Sequence, residues 1–181
     1  MPVINLQGQA LIWTSWNLEA LTVRIYTAGP LGFSEAGRPF HARIADTLAK
    51  LGHTILDPWT FDPARINAVL AMPYGQDKKN AWEKLNVEIG KANAGLIDRC
   101  DVVFAVLDGV DVDSGTAAEI GYAYARGKRI LGYRGDFRLS ADNEGATVNL
   151  QVEYFIRNSG GTIIQRIEQL PTALLELATN V

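Results

Sequence analysis

One stretch of this chain, an apolar run followed by a turn and a helix, constrains the fold more than any other. Residues 102–107 are six consecutive apolar residues, β-branched and aromatic ones among them, which is typical of a strand buried on both faces. The sequence Asp-Ser-Gly-Thr that begins at Asp113 then predicts a turn and the N-cap of a helix that continues through Tyr124 and Ala125. Asp113 is therefore expected at the carboxyl end of a parallel strand, where open α/β sheets form their ligand crevice.

From residue 23 onward, predicted strands and helices alternate. The strands are at residues 23–28, 53–56, 102–107, 128–133 and 162–164, and further helices are at residues 39–51, 81–99 and 167–178. Residues 60–80, which include Pro63 and Pro73, are predicted to form a lid or an irregular helical insertion. Such a βαβ succession implies a parallel sheet with right-handed crossovers. The predicted fold class is α/β, a doubly wound five-stranded parallel sheet in a flavodoxin-like order.

The composition excludes several classes of protein. With 181 residues, of which 48% are hydrophobic, the chain is predicted to contain one globular domain. Its 17 basic and 20 acidic residues give a net charge of −3 and no basic run occurs, so no nucleic-acid polymer and no membrane is expected as a partner. No apolar segment reaches membrane-spanning length, and a cytoplasmic location is expected.

Cysteine and histidine are scarce. Cys100 is the only cysteine, so no intrachain disulfide can form and nothing points to an oxidising compartment. The two histidines, His41 and His53, are far from it in the sequence, and no His/Cys metal site is predicted. We predict neither a metal nor a cofactor.

Residues 1–22 do not follow the alternating pattern. They contain Trp13 and Trp16, half of the tryptophans, and show little periodicity. A basic n-region and a small-residue cleavage site are both missing, so a signal peptide is not expected. We predict an N-terminal arm outside the domain of residues 23–181, with apolar side chains that pack on a neighbouring subunit.

Motifs along the whole domain carry a family resemblance. They are Tyr26 on the first strand, the loop Gly29–Ser34, the segment Cys100–Val103, the block Asp113–Tyr122, the pair Gly127-Lys128 and the pair Asn149-Leu150. Together these motifs resemble the nucleoside 2-deoxyribosyltransferase family over residues 23–160. The block Asp-x-Gly-x-x-x-Glu-Ile-Gly at a strand end is the most specific of them. The resemblance implies that a 2-deoxyribosyl group moves from one nucleobase to another through a covalent enzyme ester, so the expected partners are deoxynucleosides and free nucleobases.

The resemblance also assigns roles to four residues. Glu119 matches the nucleophile, and Tyr26 matches the tyrosine whose hydroxyl orients that carboxylate. Asp113 matches the aspartate that holds the sugar hydroxyls, and Asn149 matches an asparagine that is lent to a neighbouring site, which implies a homo-oligomer with shared active sites. A carboxylate beside C1 suits the oxocarbenium-like transition state of an N-glycosidic bond. The alternatives are a solvated helix residue for Glu119, a core tyrosine for Tyr26, and plain capping residues for Asp113 and Asn149.

One position departs from the family pattern. Many relatives carry an aspartate eight residues before the equivalent of Asp101, and that carboxyl group is thought to protonate the departing base. This chain has Asn93 there, and an amide cannot act as a general acid. Either Asn93 only recognises the base, or the proton comes from water or from another carboxylate such as Glu88 or Asp62.

The loop after the first strand allows two interpretations. Its glycines, Gly29 first among them, would let backbone N–H groups approach an anion, but the pattern fits neither G-x-G-x-x-G nor a Walker motif. If Ser34 and Arg38 hold a 5′-phosphate, the chain is instead a nucleoside 5′-monophosphate N-glycosidase, in which water resolves the ester. If not, Phe33 and Ser34 shape the sugar pocket, which is the interpretation that we favour.

Two further expectations concern aromatic residues. Trp59, after the second strand, stacks on the base or belongs to the core. Residues 152–156, with Tyr154 and Phe155, are predicted as an interface helix because these side chains would otherwise leave apolar area exposed. A non-catalytic nucleotide-binding or sensor domain is the alternative from another functional class, since such a fold hosts many functions.

Overall fold

The computed structural model describes residues 22–179. The predicted N-terminal arm therefore lies outside the described residues, apart from Thr22 at its end.

Five strands form one sheet in which every neighbouring pair is parallel. They are β1 (Arg24–Ala28), β2 (Thr54–Leu56), β3 (Val102–Val106), β4 (Arg129–Tyr133) and β5 (Ile163–Ile164). Their order across the sheet is β2-β1-β3-β4-β5. This is the flavodoxin-like order, so the predicted α/β class is confirmed, and each strand differs from its predicted range by one residue at one end.

Helices cover both faces of the sheet. They are α1 (Gly37–Lys50), α2 (Pro63–Ala71), α3 (Gln76–Arg99), α4 (Ser114–Ala125), α5 (Leu150–Asn158) and α6 (Leu170–Thr179), and single 3₁₀ turns lie at Pro30–Phe33, Pro58–Thr60 and Ile167–Gln169. Helices α1 and α6 pack on one face, and α3, α4 and α5 contribute to the core on the other. Among the described residues, no helix combines the length and the apolar character that crossing a membrane would need.

The segment 60–80 is more regular than predicted. Asp62 caps α2 by accepting a hydrogen bond from the backbone N–H of Arg65. Pro63 occupies the first turn of the helix, where a backbone N–H has no partner within the helix, so the missing N–H of proline costs no hydrogen bond. Helix α3 then begins at Gln76, before its predicted start at residue 81. The predicted irregularity was wrong because Pro63 begins a helix here and does not interrupt one.

Strand alternation decides which side chains lie under which helices. On β3, Phe104 points to the core on the α1 and α6 side, and Val103 points to the core on the α3, α4 and α5 side. Tyr26, which pairs in register with Val103, belongs to this second core. Its side chain therefore lies on the same face of the sheet as α4, which carries Glu119.

Gly29, directly after β1, has a backbone conformation that only glycine adopts without strain, and a substitution can test this. Its φ is +152°, and a Cβ at this position would lie 3.0 Å from Cβ of Val106. We expect Gly29→Ala to lower the free energy of unfolding by about 1–3 kcal/mol, measured by urea unfolding. The matched control is Gly90→Ala in exposed α3, where an added Cβ meets nothing within 4 Å. That change should stabilise by about 0.5–1 kcal/mol, and equal stabilities of the two variants would contradict the strain at Gly29.

Candidate active site

Several of the predicted site residues lie at one edge of the sheet. Because all five strands are parallel, their carboxyl ends meet at this edge. Gly29, Phe33 and Ser34 follow β1, Trp59 follows β2, and Asp113 follows β3. The site is therefore built mainly from the loops after three adjacent strands and from the start of α4.

A hydrogen bond between Tyr26 and Glu119 forms the centre of the site. The hydroxyl of Tyr26 donates to Oε1 of Glu119 at 2.6 Å, although the two residues are 93 positions apart in the chain. Tyr26 is completely buried. Burial and the neighbouring Glu119 carboxylate both raise the pKa of Tyr26, so its hydroxyl stays protonated and remains a donor.

The carboxyl group of Glu119 has an altered pKa. Burial raises this pKa, the hydrogen bond from Tyr26 lowers it, and the charge of Asp113 raises it again. The net result is a pKa above the ordinary value for glutamate. This side chain is thus not the solvated helix residue that was the alternative interpretation.

Asp113 caps α4, as its sequence context predicted. Its Oδ2 accepts hydrogen bonds from the backbone N–H of Thr116 at 3.0 Å and from the Thr116 hydroxyl at 3.1 Å. The cap satisfies one of the N–H groups that have no partner inside the helix. The charge of Asp113 also acts on Glu119, which lies in the middle of the same helix, so the two carboxylates are close enough to interact.

Aromatic side chains border the site on the side of β2. The rings of Phe33 and Trp59 meet edge to face, with their centroids 4.6 Å apart. Trp59 packs directly on Gly32, where an added Cβ would lie 2.2 Å from the indole. Phe33 is 75% exposed, while Trp59 is half-buried. Ser34 ties the same loop to α1, since its Oγ accepts a hydrogen bond from the backbone N–H of Gly37 at 2.9 Å.

A histidine and an aspartate behind this aromatic pair were missed by the sequence analysis. Nε2 of His41 lies 2.9 Å from Oδ2 of Asp57, and Oδ1 of Asp57 accepts a hydrogen bond from the backbone N–H of Trp59. Burial raises the pKa of Asp57, but the bonds from His41 and Trp59 outweigh it and hold the pKa below its usual value. No local pattern in the sequence connects residues 16 positions apart on a helix and a strand end.

The two candidate carboxylates for protonating the base are engaged elsewhere. Glu88 accepts two hydrogen bonds from the guanidinium of Arg65, at 2.6 and 3.0 Å, which lower its pKa. Asp62 caps α2. Asn93, in α3, has a buried Oδ1 without a hydrogen-bond partner. A buried carbonyl oxygen of this kind normally has a partner.

Asn149 caps α5, as the alternative interpretation had it. Its Oδ1 accepts hydrogen bonds from the backbone N–H groups of Gln151 and Val152 at 3.1 and 3.4 Å. The residue also lines an open cavity of about 330 Å³. Among the described residues, the structure does not join Asn149 or Asn93 to Glu119 by a hydrogen bond.

The predicted interface helix packs partly on its own sheet. Val152 and Ile156 are buried in the core beneath α5, and Phe155 stacks on Tyr124 with the ring centroids 4.7 Å apart. Tyr154 remains 52% exposed.

In the part of the chain that the structure describes, no group of three or more His, Cys, Asp or Glu side chains is placed to hold a metal ion.

Comparison with known proteins decides the family. The sequence model of one family, described as nucleoside 2-deoxyribosyltransferase, matches residues 25–151. The chain belongs to this family. Its members are enzymes that act on nucleosides. No curated protein sequence matches the chain.

Solved structures share the fold of this nucleoside 2-deoxyribosyltransferase family member. A conserved protein from Enterococcus faecalis V583 is 25% identical over 88% of this chain and 99% of its own, with a TM-score of 0.62. A 2-deoxyribosyltransferase from Leishmania mexicana is 23% identical over 88% of this chain and 99% of its own, with a TM-score of 0.58. The 2-deoxyribosyltransferase from Bacillus psychrosaccharolyticus is 23% identical over 81% and 89%, with a TM-score of 0.54.

Removal of the Tyr26 hydroxyl should raise the pKa of Glu119 further, because the bond from Tyr26 is the interaction that lowers it. We expect this shift in Tyr26→Phe, measured by carbon-13 NMR titration of the Glu119 carboxyl group. The matched control is Tyr122→Phe. In the parent chain the hydroxyl of Tyr122 donates to Oδ1 of Asp98 on the exposed surface. The control should raise the pKa of Asp98 and leave Glu119 unchanged. An unshifted Glu119 in Tyr26→Phe would show that the bond does not hold the carboxylate in solution.

Proposed function

We propose that this chain is a nucleoside 2-deoxyribosyltransferase that exchanges the nucleobase of 2′-deoxyribonucleosides through a covalent deoxyribosyl–glutamate intermediate. The observation that supports this most directly is the buried hydrogen bond from Tyr26 to Glu119 at 2.6 Å. A domain that only bound nucleotides would gain nothing from a half-buried carboxylate, since burial without compensation is costly.

The proposed reaction has two displacements at C1′ of the sugar. Tyr26 engages Oε1 of Glu119, so Oε2 is the oxygen that we expect to attack C1′. The C1′–N bond breaks as the C1′–O bond forms, and its electron pair leaves with the base, which takes up a proton. A nitrogen of the second base then attacks C1′, gives up its proton, and releases Glu119 as the carboxylate.

Asp113 has a supporting role in this proposal. We propose that its carboxylate accepts hydrogen bonds from the sugar hydroxyls while its Oδ2 caps α4. The two roles are compatible because a carboxylate accepts several hydrogen bonds. The cap fixes Asp113 relative to the helix that carries Glu119, so sugar and nucleophile are held by one rigid element.

The proton for the departing base is proposed to come from water. Glu88 is paired with Arg65, which lowers its pKa and makes it a poorer acid, and Asp62 is held as a helix cap. Asn93 is proposed to recognise the base. Its buried Oδ1 has no partner in the described chain, and a ring N–H or an exocyclic amine would supply one. Trp59 and Phe33 are proposed to border the base and the sugar, with Gly29 allowing close approach of the backbone.

The position of Arg38 favours a second candidate function, the hydrolysis of nucleoside 5′-monophosphates. This exposed guanidinium lies in the first turn of α1 and donates to the carbonyl of Gly32 at 3.3 Å. A 5′-phosphate at this point would meet a cation beside the start of a helix. Water would then resolve the ester, and no new nucleoside would form.

We also propose a homo-oligomer with shared active sites, in which Asn149 completes the site of a neighbour. Around Asn149 the structure exposes large apolar side chains, with Leu150 at 51% and Tyr154 at 52% exposure. Exposed apolar side chains that lie this close together favour contact with another protein surface. In homo-oligomers such contacts commonly follow a closed symmetry, in which every subunit makes the same contact.

Deoxyinosine incubated with free adenine or cytosine tests the proposed reaction. We expect release of hypoxanthine together with a new deoxynucleoside, both followed by chromatography. Glu119→Ala should lose nearly all of this transfer, on the order of 10³-fold or more, because no nucleophile remains.

The control for this loss is Glu168→Ala, which removes an exposed carboxylate paired with Arg43. It should retain activity, and both variants should keep the circular dichroism of the parent. Near-normal turnover by folded Glu119→Ala would show that Glu119 is not the nucleophile. Base release without a new nucleoside, and a preference for the 5′-monophosphate, would identify the hydrolase instead.

Mixed oligomers test the shared site. We expect Glu119→Ala and Asn149→Ser to be inactive alone and to regain partial activity when mixed, because some sites then pair an intact Glu119 with an intact Asn149. Serine is chosen at residue 149 because it retains the helix cap while removing the amide. Subunit exchange is confirmed by mass spectrometry of the mixture. Exchange without recovery of activity would disprove the shared-site proposal.

A further inference from the structure

Arg134, directly after β4, is a fully buried arginine. Only 2% of it is exposed, and it is one of the largest fully buried side chains in the described chain. A buried guanidinium is normally paired with a carboxylate. Here the hydrogen bonds of its Nη atoms go to main-chain carbonyl oxygens: Nη1 donates to Leu107, and Nη2 donates to Gly109 at 3.2 Å and Arg138 at 2.7 Å.

The three carbonyl groups belong to the two loops beside the candidate site. Leu107 and Gly109 lie in the segment that runs from β3 to Asp113, and Arg138 lies in the loop that leads from β4 towards Asn149. A second bond joins the same loops, since Oδ1 of Asp108 accepts from the backbone N–H of Asp136 at 2.8 Å. The first part of the segment 107–113 is therefore fastened by a side chain that directly follows the neighbouring strand β4.

The fastened segment has an unusual backbone. Gly109 has a φ of +135°, in the region that favours glycine, and a Cβ there would lie 3.0 Å from the carbonyl oxygen of Asp111. The chain turns sharply at this point before it reaches Asp113. Glycine has many backbone conformations open to it, and the bond from Nη2 of Arg134 to the carbonyl of Gly109 itself favours this one.

A buried charge of this kind is a poor source of stability. Proteins in which well-packed hydrophobic residues replace such buried charges are often as stable as the original or more stable. A geometric role is the stronger explanation, because a planar guanidinium can hold several acceptors in fixed directions, which an ammonium group cannot do.

We propose that Arg134 is a positioning residue for sugar recognition, which fixes segment 107–113 so that Asp113 faces the sugar hydroxyls. This inference rests on the proposed function. Arg134 does not touch the substrate in this scheme and acts through the loop.

The test compares Arg134→Met with Arg126→Met. Arg126 is an exposed arginine at the C-cap of α4 that pairs with Asp98, so it controls for the loss of an arginine. We expect Arg134→Met to raise KM for the deoxynucleoside about tenfold or more with a smaller change in kcat, because ground-state binding of the sugar is weakened. Amide hydrogen exchange should become faster in residues 107–113 and stay unchanged elsewhere in the sheet. Arg126→Met should change neither.

A double-mutant cycle separates positioning from general damage. If Arg134 acts through Asp113, Arg134→Met should add little to the KM of Asp113→Ala. Fully additive effects, or exchange that is unchanged at residues 107–113, would overturn the proposal. If Arg134→Met does not fold, Arg134→Lys replaces it, because lysine keeps the charge and loses the planar fork. If the parent enzyme turns over no nucleoside, the proposed function fails, and the exchange measurement alone then decides whether Arg134 fixes the loop.

Discussion

The hydrogen bond between Tyr26 and Glu119 is the interaction on which the rest of the candidate site depends. It exists because the register of β1 against β3 places Tyr26 opposite Val103, on the face that α4 covers. Burial of Glu119 has a consequence for stability. Its pKa is higher in the folded chain than the ordinary value, so between these two values the unfolded chain binds fewer protons, and this residue's contribution to stability falls as pH rises. The site therefore costs stability where its carboxylate is ionised, as sites with buried ionised groups commonly do.

The order of the strands explains why the site lies where it does. The chain leaves β1 towards β2 in one direction and then returns past β1 to β3 and β4 in the other. Helices that follow β1 and β3 thus pack on opposite faces, and a crevice opens between the carboxyl ends of these two strands. Tyr26 and Gly29 belong to one side of this switch point, and Asp113 belongs to the other. The groups proposed for chemistry lie towards α4, while the aromatic groups proposed for recognition lie towards β2.

The sequence was sufficient wherever a short pattern determines the structure. The apolar run of β3 and the Asp-Ser-Gly-Thr cap predicted both the strand and the start of α4, and the family resemblance predicted that Tyr26 would reach Glu119. The sequence was insufficient at Pro63, because a proline can either begin a helix or interrupt one. It was also insufficient where hydrogen-bond partners are distant along the chain. The bond of His41 to Asp57 and the bonds of Arg134 to two loops arise from strand order, which no local periodicity encodes. Asn149 shows a third case, since a capping asparagine and a lent asparagine have the same sequence signature.

Transfer and assembly are linked by the need to exclude water. A deoxyribosyl ester is attacked by whichever nucleophile reaches C1′, so an open site favours hydrolysis over base exchange. In the single chain, Phe33 is 75% exposed and Phe137 is 95% exposed, so these aromatic side chains are left uncovered. A neighbouring subunit that covered them would exclude water and leave room for a flat base against Phe33 and Trp59. In the proposed oligomer, the neighbouring subunit would therefore exclude water as well as supply Asn149. By the same argument, under the proposed mechanism a monomer that retained Tyr26, Asp113 and Glu119 would pass the deoxyribosyl group from Glu119 to water and release free deoxyribose.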